Sequence, residues 1–392
     1  MNANNIRIYE SERIKLNYNP IKILGSGSFK DCQQIEIISI EKGEEYLQDL
    51  LITHKLQNSQ RKYKYLVLGT FKDPIASKTY FEAHKIVSQF KSPYILTIYD
   101  VNGNQSSKES NISNNESPLQ LLMEYAPHGD LKSFCENECL SIEQILKLNL
   151  QILCGLITLE ENHMNHLDIK IQNILICDDN TEEGKVIAKI SDFDYLSRVQ
   201  LAIDNKQIQQ NYYCKQDLLT QFLLPNSDVY AFGIILYKCL YFSGYIKENN
   251  ELYFRNEFYT IHGIERLFPP CSFFNDNPDI DIFLRHITHR YNRYRWFASN
   301  AIYSNIFQRT IINNDMSISI YDLVETETNQ KYKLLSKSQS ILSTENNQKL
   351  ADTFTDEILI KNSNPFLYAD PSQLVVFNEQ TKQFSSISSQ YL

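Results

Sequence analysis

The stretch HLDIKIQNILI, residues 166–176, constrains this chain more than any other part of it. Asp168, Lys170 and Asn173 fall within six residues, at the entry to the strand-like run NILI (173–176). An acid, a cation and an amide held this close suit three tasks around a transferring phosphate: orienting a hydroxyl nucleophile, neutralising the moving phosphoryl group and ligating a metal ion. A second strand-like run, VIAKIS (186–191), leads into SDFD (191–194), and Asp192 there supplies another oxygen ligand for a hard cation such as Mg2+. A polar loop followed by an acidic turn would use the same residue types, but without this order and spacing.

A length of 392 residues suggests two or three compact units, or one two-lobed fold with extensions. The net charge of −9 argues against a general affinity for nucleic acid or anionic membrane. With 42% hydrophobic and 12% aromatic residues the chain has ample material for a core. The start, MNANNIRIYESERIKL, lacks the apolar centre of a secretory signal and is acidic for a transit peptide, so an intracellular, cytoplasmic protein is expected, with the nucleus as the other compartment. The eight cysteines show neither a CxxC pair nor zinc-ligand spacing, which fits scattered reduced thiols. One apolar stretch, Val229 to Ile246, has nearly the length of a membrane span, but it contains Lys238 and follows Asp228 directly. A buried core helix is the expectation, with no membrane span.

Residues 21–40 read as two strands around a glycine-bearing turn, and 63–72 as a third. ASKTYFEAHKIVSQFK (76–91) has helical spacing of Phe81, Ile86, Val87 and Phe90, with Pro93 beyond; strands follow at 94–101 and 119–125 around a polar loop. Helices are expected over 131–136 and 141–162, where Ser141 and Gln144 form a capping box, and again after residue 191. The Ser-, Asn- and Gln-rich end of the chain is expected to be either disordered or docked by apolar patches such as 364–377.

GSGSF (25–29) places Gly25 and Gly27 on a strand-turn-strand, where backbone N–H groups can approach phosphate oxygens. An ordinary glycine hairpin would look the same in isolation. In order along the chain, however, GSGSF, LLMEYAPHGDL (121–131), HLDIKIQN, SDFD, SDVYAFGIILY (227–237) and RWFASNAIYSNIF (295–307) together resemble the eukaryotic protein kinases. The resemblance runs from about residue 17 to 309. It implies an α+β, two-lobed fold, with a small β-rich lobe to about residue 126 and a helical lobe after it. Residues 1–16 would then be an N-terminal extension and 310–392 a polar tail.

The same resemblance implies roles. Asp168 would be the catalytic acid-base residue and Lys170 its cationic partner, while Asn173 and Asp192 would hold Mg2+. Gly25 and Gly27 would lie over the phosphates of ATP. Met123 would be the gatekeeper, the backbone of Glu124 and Ala126 would bind adenine, and Cys32, Val67 and Leu175 would enclose its ring. Asp130 would lie near the ribose, Asp228 would anchor the catalytic loop, and Asp217 would pair with Arg295.

Several positions depart from the family pattern. Gly69 stands at the place of the third-strand lysine, and Lys72, three residues on, points to the opposite face of a period-two strand. Lys30 occupies the place of the third loop glycine, as in the with-no-lysine kinases that this loop also resembles, and is the expected substitute cation. The helix glutamate position falls on Ala83, with Glu82 one place away. Leu167 replaces the catalytic-loop arginine, Asp194 replaces the glycine of D-F-G, and Gln210 stands near the substrate-aligning threonine; no Ser or Thr lies between Ser197 and Thr220. The leading reading is a Ser/Thr-type protein kinase using ATP and Mg2+ on protein substrates. The alternative is a pseudokinase that serves as a nucleotide-binding or purely scaffolding partner.

Overall fold

The computed structural model describes residues 6–307 apart from 28, 48–64, 74–76, 104–117, 180–183, 199–211, 215–216, 218–223, 248–258 and 262–263, together with strand residues 318–319, 375–378 and 383–386. Its first half is an antiparallel six-stranded sheet in the order β1-β2-β3-β4-β6-β5. The strands are β1 (Arg7–Glu10), β2 (Lys15–Ser26), β3 (Lys30–Lys42), β4 (Tyr65–Phe71), β5 (Ile98–Asn102) and β6 (Gln120–Glu124). β1 lies within the stretch expected as an N-terminal extension; it pairs with Lys15–Tyr18 of β2 and buries Tyr9.

Period-two alternation decides what each face of β4 does. Leu66 and Leu68 point into a small core with Tyr9, Ile14, Leu16, Ile35 and Leu122, while Val67 and Phe71 belong to the larger core shared with the later helices. Gly69 is on the same face as Val67 and Phe71, opposite Cys32 of β3 and Leu121 of β6. Helix α1 (Lys78–Val87) lies against that second face through Phe81, which meets Phe71 edge-on at 6.0 Å.

The second half is helical. α2 (Leu131–Asn137) is capped by Asp130, and α3 (Ile142–Glu161) starts at the expected capping box: Ser141 Oγ accepts from the Gln144 amide at 3.2 Å, and Gln144 Oε1 from the Ser141 amide at 2.8 Å. Such a cap stabilises by about 1 kcal/mol. Next come the short strand β7 (Met164–Asn165) and then β8 (Ile174–Asp178) and β9 (Lys185–Ile190), which form an antiparallel pair on which the catalytic loop and SDFD are mounted. Ile318 and Ser319 pair with the outer edge of β9.

The apolar stretch questioned as a membrane span forms most of α4 (Pro225–Phe242), in which every residue from Asn226 to Tyr237 is buried. Close approach is built in: a Cβ on Gly233 would lie 2.4 Å from Thr288 Cγ2, beside Ile287 of the helix Pro278–Ile287. Among the described residues one helix, α3, is long and apolar enough to cross a membrane, and its apolar side is packed inside this core.

Candidate active site

The catalytic loop between β7 and β8 is held from below by α4. The Asp228 carboxylate accepts the backbone N–H groups of His166 at 2.6 Å and Leu167 at 3.0 Å, and the Tyr213 hydroxyl at 2.7 Å. That hydroxyl also accepts the Ile169 amide at 2.9 Å, so one buried carboxylate holds three backbone amides of the loop, two directly and one through Tyr213. Leu167 takes a φ of +64°, a left-handed conformation that is costly for leucine and is held by these bonds.

Above this anchor the predicted trio converges. Lys170 Nζ donates to Asp168 Oδ2 at 2.7 Å, and Asn173 Nδ2 donates to the same oxygen and to the Asp168 carbonyl, both at 2.8 Å. Burial pushes the Asp168 carboxyl above the usual range; Lys170 and Asn173 oppose the shift, and the nearby charge of Asp192 adds to it. Because Asn173 donates through its nitrogen, its side-chain oxygen remains as the ligand-capable atom.

Lys30, the first residue of β3, is buried, and its ammonium bonds to Asp192 and, at 2.6 Å, to Asp194 Oδ1. Burial works against the charge of Lys30, but the two carboxylates outweigh it and hold the ammonium above lysine's usual range. Asp192 sits at a φ of +65°, followed by the fully buried Phe193, which packs 5.0 Å from the His166 ring. Burial alone would raise the Asp192 carboxyl, yet Lys30 draws it down to about 2. Asp194 goes the other way: burial lifts it to about 6, with Lys30 opposing and Asp192 reinforcing the rise.

The residues that the resemblance assigns to the nucleotide lie along the sheet side of this cleft and the strand pair opposite it. Gly25 pairs with Cys32 across the β2–β3 hairpin, and the Gly27 amide donates to the Lys30 carbonyl at 2.9 Å, closing the glycine turn. Phe29 folds inward onto Tyr80 of α1, ring centroids 4.0 Å apart. Cys32, Val67 and Met123 lie on neighbouring strands around Gly69, where an added Cβ would sit 3.0 Å from the Met123 methyl. Leu175 packs with Ala126 on the opposite side, and bridges to Asp130. The Asp130 carboxylate is engaged by the Ser133 amide at 2.9 Å and hydroxyl at 3.2 Å, so capping α2 competes with any contact to a ribose. Glu124 offers backbone at the strand end while its side chain forms a buried ion pair with Lys189 at 2.7 Å.

Lys72 is half exposed at the outer edge of the loop, donating to Ser26 Oγ at 2.9 Å and the Gly27 carbonyl at 2.7 Å. Glu82 does not replace the helix glutamate: it faces solvent and its nearest cation is Lys85 at 4.0 Å. The α1 residue that reaches the cleft is His84, whose Nε2 is 3.6 Å from Asp194 Oδ1. Sequence reasoning missed it because the family pattern looks for an acid, although His84 lies three residues after the core residue Phe81, on the same helical face. Arg295 and Asp217 form the expected pair, buried, at 2.6 Å. Gln210 lies outside the described residues.

The protein kinase domain family matches residues 18–353, and the chain belongs to that family. Over 137 residues it is 34% identical to the probable serine/threonine-protein kinase pats1 of Dictyostelium discoideum, covering 33% of this chain and 4% of that protein. Over 148 residues it is 34% identical to the inhibitor of nuclear factor kappa-B kinase subunit alpha of Gallus gallus, covering 34% of this chain and 18% of that protein. The tyrosine-protein kinase Fer of Rattus norvegicus is 28% identical over 191 residues, covering 43% of this chain and 21% of that protein. The chain therefore spans between 4% and 21% of the length of these relatives, whose names divide between serine/threonine and tyrosine kinases.

Proposed function

We propose that the chain transfers the γ-phosphoryl group of ATP, in the presence of Mg2+, to serine or threonine hydroxyls of protein substrates, with Lys30 as the phosphate-binding cation. The observation that carries this reading is the buried Lys30 ammonium on the Asp192 side of the cleft, at the same site as the Asp168–Lys170–Asn173 trio. Asp168 orients the incoming hydroxyl and accepts its proton, and burial makes it a better base than an exposed aspartate. Lys170, 2.7 Å from that carboxylate, is placed to neutralise charge on the moving phosphoryl. Asn173 keeps Asp168 in place and, with Asp192, offers the hard oxygen ligands that Mg2+ prefers. Bound there, Mg2+ would screen the phosphate charges. Lys30, on β3, would supply the cation for the α- and β-phosphates, the task that Gly69 leaves undone.

One observation favours the scaffold reading: Lys30 and Asp192 neutralise each other, and Asp194 adds a second carboxylate beside them. A γ-phosphate transfer assay with Mg2+ on the purified chain, run beside Asp168→Asn and paired with nucleotide-induced melting shifts, separates the two. Transfer that disappears in Asp168→Asn supports the enzyme. A melting shift without Asp168-dependent transfer selects the scaffold.

A further inference from the structure

His84 is almost fully buried, and its two ring nitrogens have different surroundings. Nδ1 lies 2.8 Å from the Tyr80 carbonyl, an acceptor, so Nδ1 carries the proton. With Nδ1 turned to that carbonyl, Nε2 is the ring nitrogen left with a lone pair toward the cleft. That nitrogen faces Asp194 Oδ1 at 3.6 Å, too far for a hydrogen bond. Two acceptor atoms therefore point at one another inside the cleft. An imidazole whose far N–H is pinned to a backbone carbonyl is the arrangement that orients a metal-ligating histidine.

Asp192 completes the set. One ligand atom each from His84, Asp192 and Asp194 lie within 4.8 Å of one another. Ligands on opposite sides of an ion at ~2.0–2.2 Å are separated by up to about 4.4 Å, so a shift of a few tenths of an ångström closes the group around a cation. We infer that His84, Asp192 and Asp194 form a binding site for a divalent cation of the Mn2+ class, one that accepts a nitrogen ligand beside two carboxylates. The inference rests on Asp192 being a metal ligand and adds two residues that the family pattern does not supply. Mg2+ holds to oxygen and to its waters, whereas the first-row transition ions accept imidazole readily. In the structure the Lys30 ammonium bridges the same two carboxylates, bringing one positive charge to two negative ones. A divalent ion matches both, so ion and ammonium compete, and binding the ion frees Lys30 to turn toward nucleotide phosphates.

The test titrates Mn2+ into the purified full chain without nucleotide, follows binding by electron paramagnetic resonance, and reads nitrogen coupling in the pulsed spectrum. The expected result is bound Mn2+ with nitrogen coupling, held about tenfold or more tightly than Mg2+ in competition. His84→Gln should remove the coupling and weaken binding by about tenfold or more. Lys30→Met should keep the coupling and tighten binding. Should His84→Gln fail to fold by its melting curve, Asp194→Gly provides the same comparison through affinity. Absence of Mn2+ binding, Mn2+ bound without nitrogen coupling, or affinity unchanged in both variants would each overturn the site. The transfer assay fails independently: coupling without Asp168-dependent transfer retains this site and removes the kinase reading, and transfer without coupling does the reverse.

Discussion

The ammonium of Lys30 lies 2.6 Å from the Oδ1 of Asp194, joining the first residue of β3 to a carboxylate 164 positions later. This contact ties the sheet to the Asp192–Asp194 side of the cleft, and it assigns the two lysines near the glycine loop to different surroundings. Lys72 faces outward and holds the loop backbone at Gly27. Lys30→Met is therefore expected to lower kcat/KM for phosphate transfer by roughly 100-fold or more, chiefly through kcat, because it removes a contact to developing charge. Lys72→Met should change it by less than about tenfold, mainly through KM for ATP. Steady-state kinetics on both variants checks this, and the reverse order would mean that Lys72 serves the phosphates.

Asp194 gives the fold a pH signature. Its carboxyl is raised to about 6 in the folded chain from an ordinary value of 3.8, mainly by burial, so the folded state prefers the protonated form. Its contribution to stability is fully present below about pH 4 and is lost as the pH rises through about 6. Asp192, drawn down to about 2, contributes in the opposite sense: its stabilisation is present above about pH 4 and is lost as the pH falls toward 2. Asp194→Asn should therefore gain stability relative to the unmodified chain between pH 4 and 6, by roughly 1–3 kcal/mol. Denaturant melts at pH 4 and pH 7 measure the difference; an equal effect at both would show that Asp194 does not titrate in this window.

Much of this site was legible from spacing, because the catalytic loop and SDFD are local motifs mounted on adjacent strands. The register of β4 was legible too: period two put Gly69 with Val67 and Phe71, and turned Lys72 away. The identity of the helix residue in the cleft was not. A loop of uncertain length between α1 and β5 leaves the rotation of α1 open by one residue, and that rotation decides whether Glu82, Ala83 or His84 faces Asp194. Asp130 illustrates another limit, since a residue that fits a ribose contact in the pattern also fits a helix cap, and its carboxylate makes the cap bonds to Ser133.

Asp228 serves backbone groups instead of substrate, so its loss should appear as stability as well as rate. Asp228→Ala would leave two buried N–H donors and the Tyr213 hydroxyl unpaired, at a cost of roughly 3 kcal/mol or more. Tyr213→Phe removes the link between Asp228 and the Ile169 amide and should cost about 1–2 kcal/mol. Both should lower kcat more than they raise KM, because the loop that carries Asp168 loosens. Denaturant midpoints with parallel kinetics test this; a Tyr213→Phe chain of unchanged stability would show that the shared hydroxyl is dispensable.

The Arg295–Asp217 pair is enclosed, with Arg295 also donating to the carbonyls of His289 and Asn226. Arg295→Met strands a buried carboxylate and should destabilise by about 3–5 kcal/mol. Adding Asp217→Leu should recover part of that loss, though not the bonds to the carbonyls. Thermal melts of the two single variants and the double variant give the coupling, and simple additivity would show that the charges do not depend on one another.

Gly69 offers a way to move the phosphate-binding cation. It lies on the cleft face of β4, and an added Cβ would meet the end of the Met123 side chain at 3.0 Å, a flexible methyl that can swing aside. A lysine there would reach toward the ground now held by Lys30, and with both present their ammonium groups would repel. Gly69→Lys alone should therefore leave transfer unchanged or reduce it, whereas Gly69→Lys combined with Lys30→Met should recover at least about tenfold of the activity that Lys30→Met removes. The measurement is kcat/KM for the four chains of this cycle, with melting curves to confirm that each folds. Recovery in the double variant would show that the chain needs a cation over the phosphates and is indifferent to which strand carries it. A double variant no better than Lys30→Met, though folded, would show that Lys30 acts through its bonds to Asp192 and Asp194 and not through its charge above the phosphates.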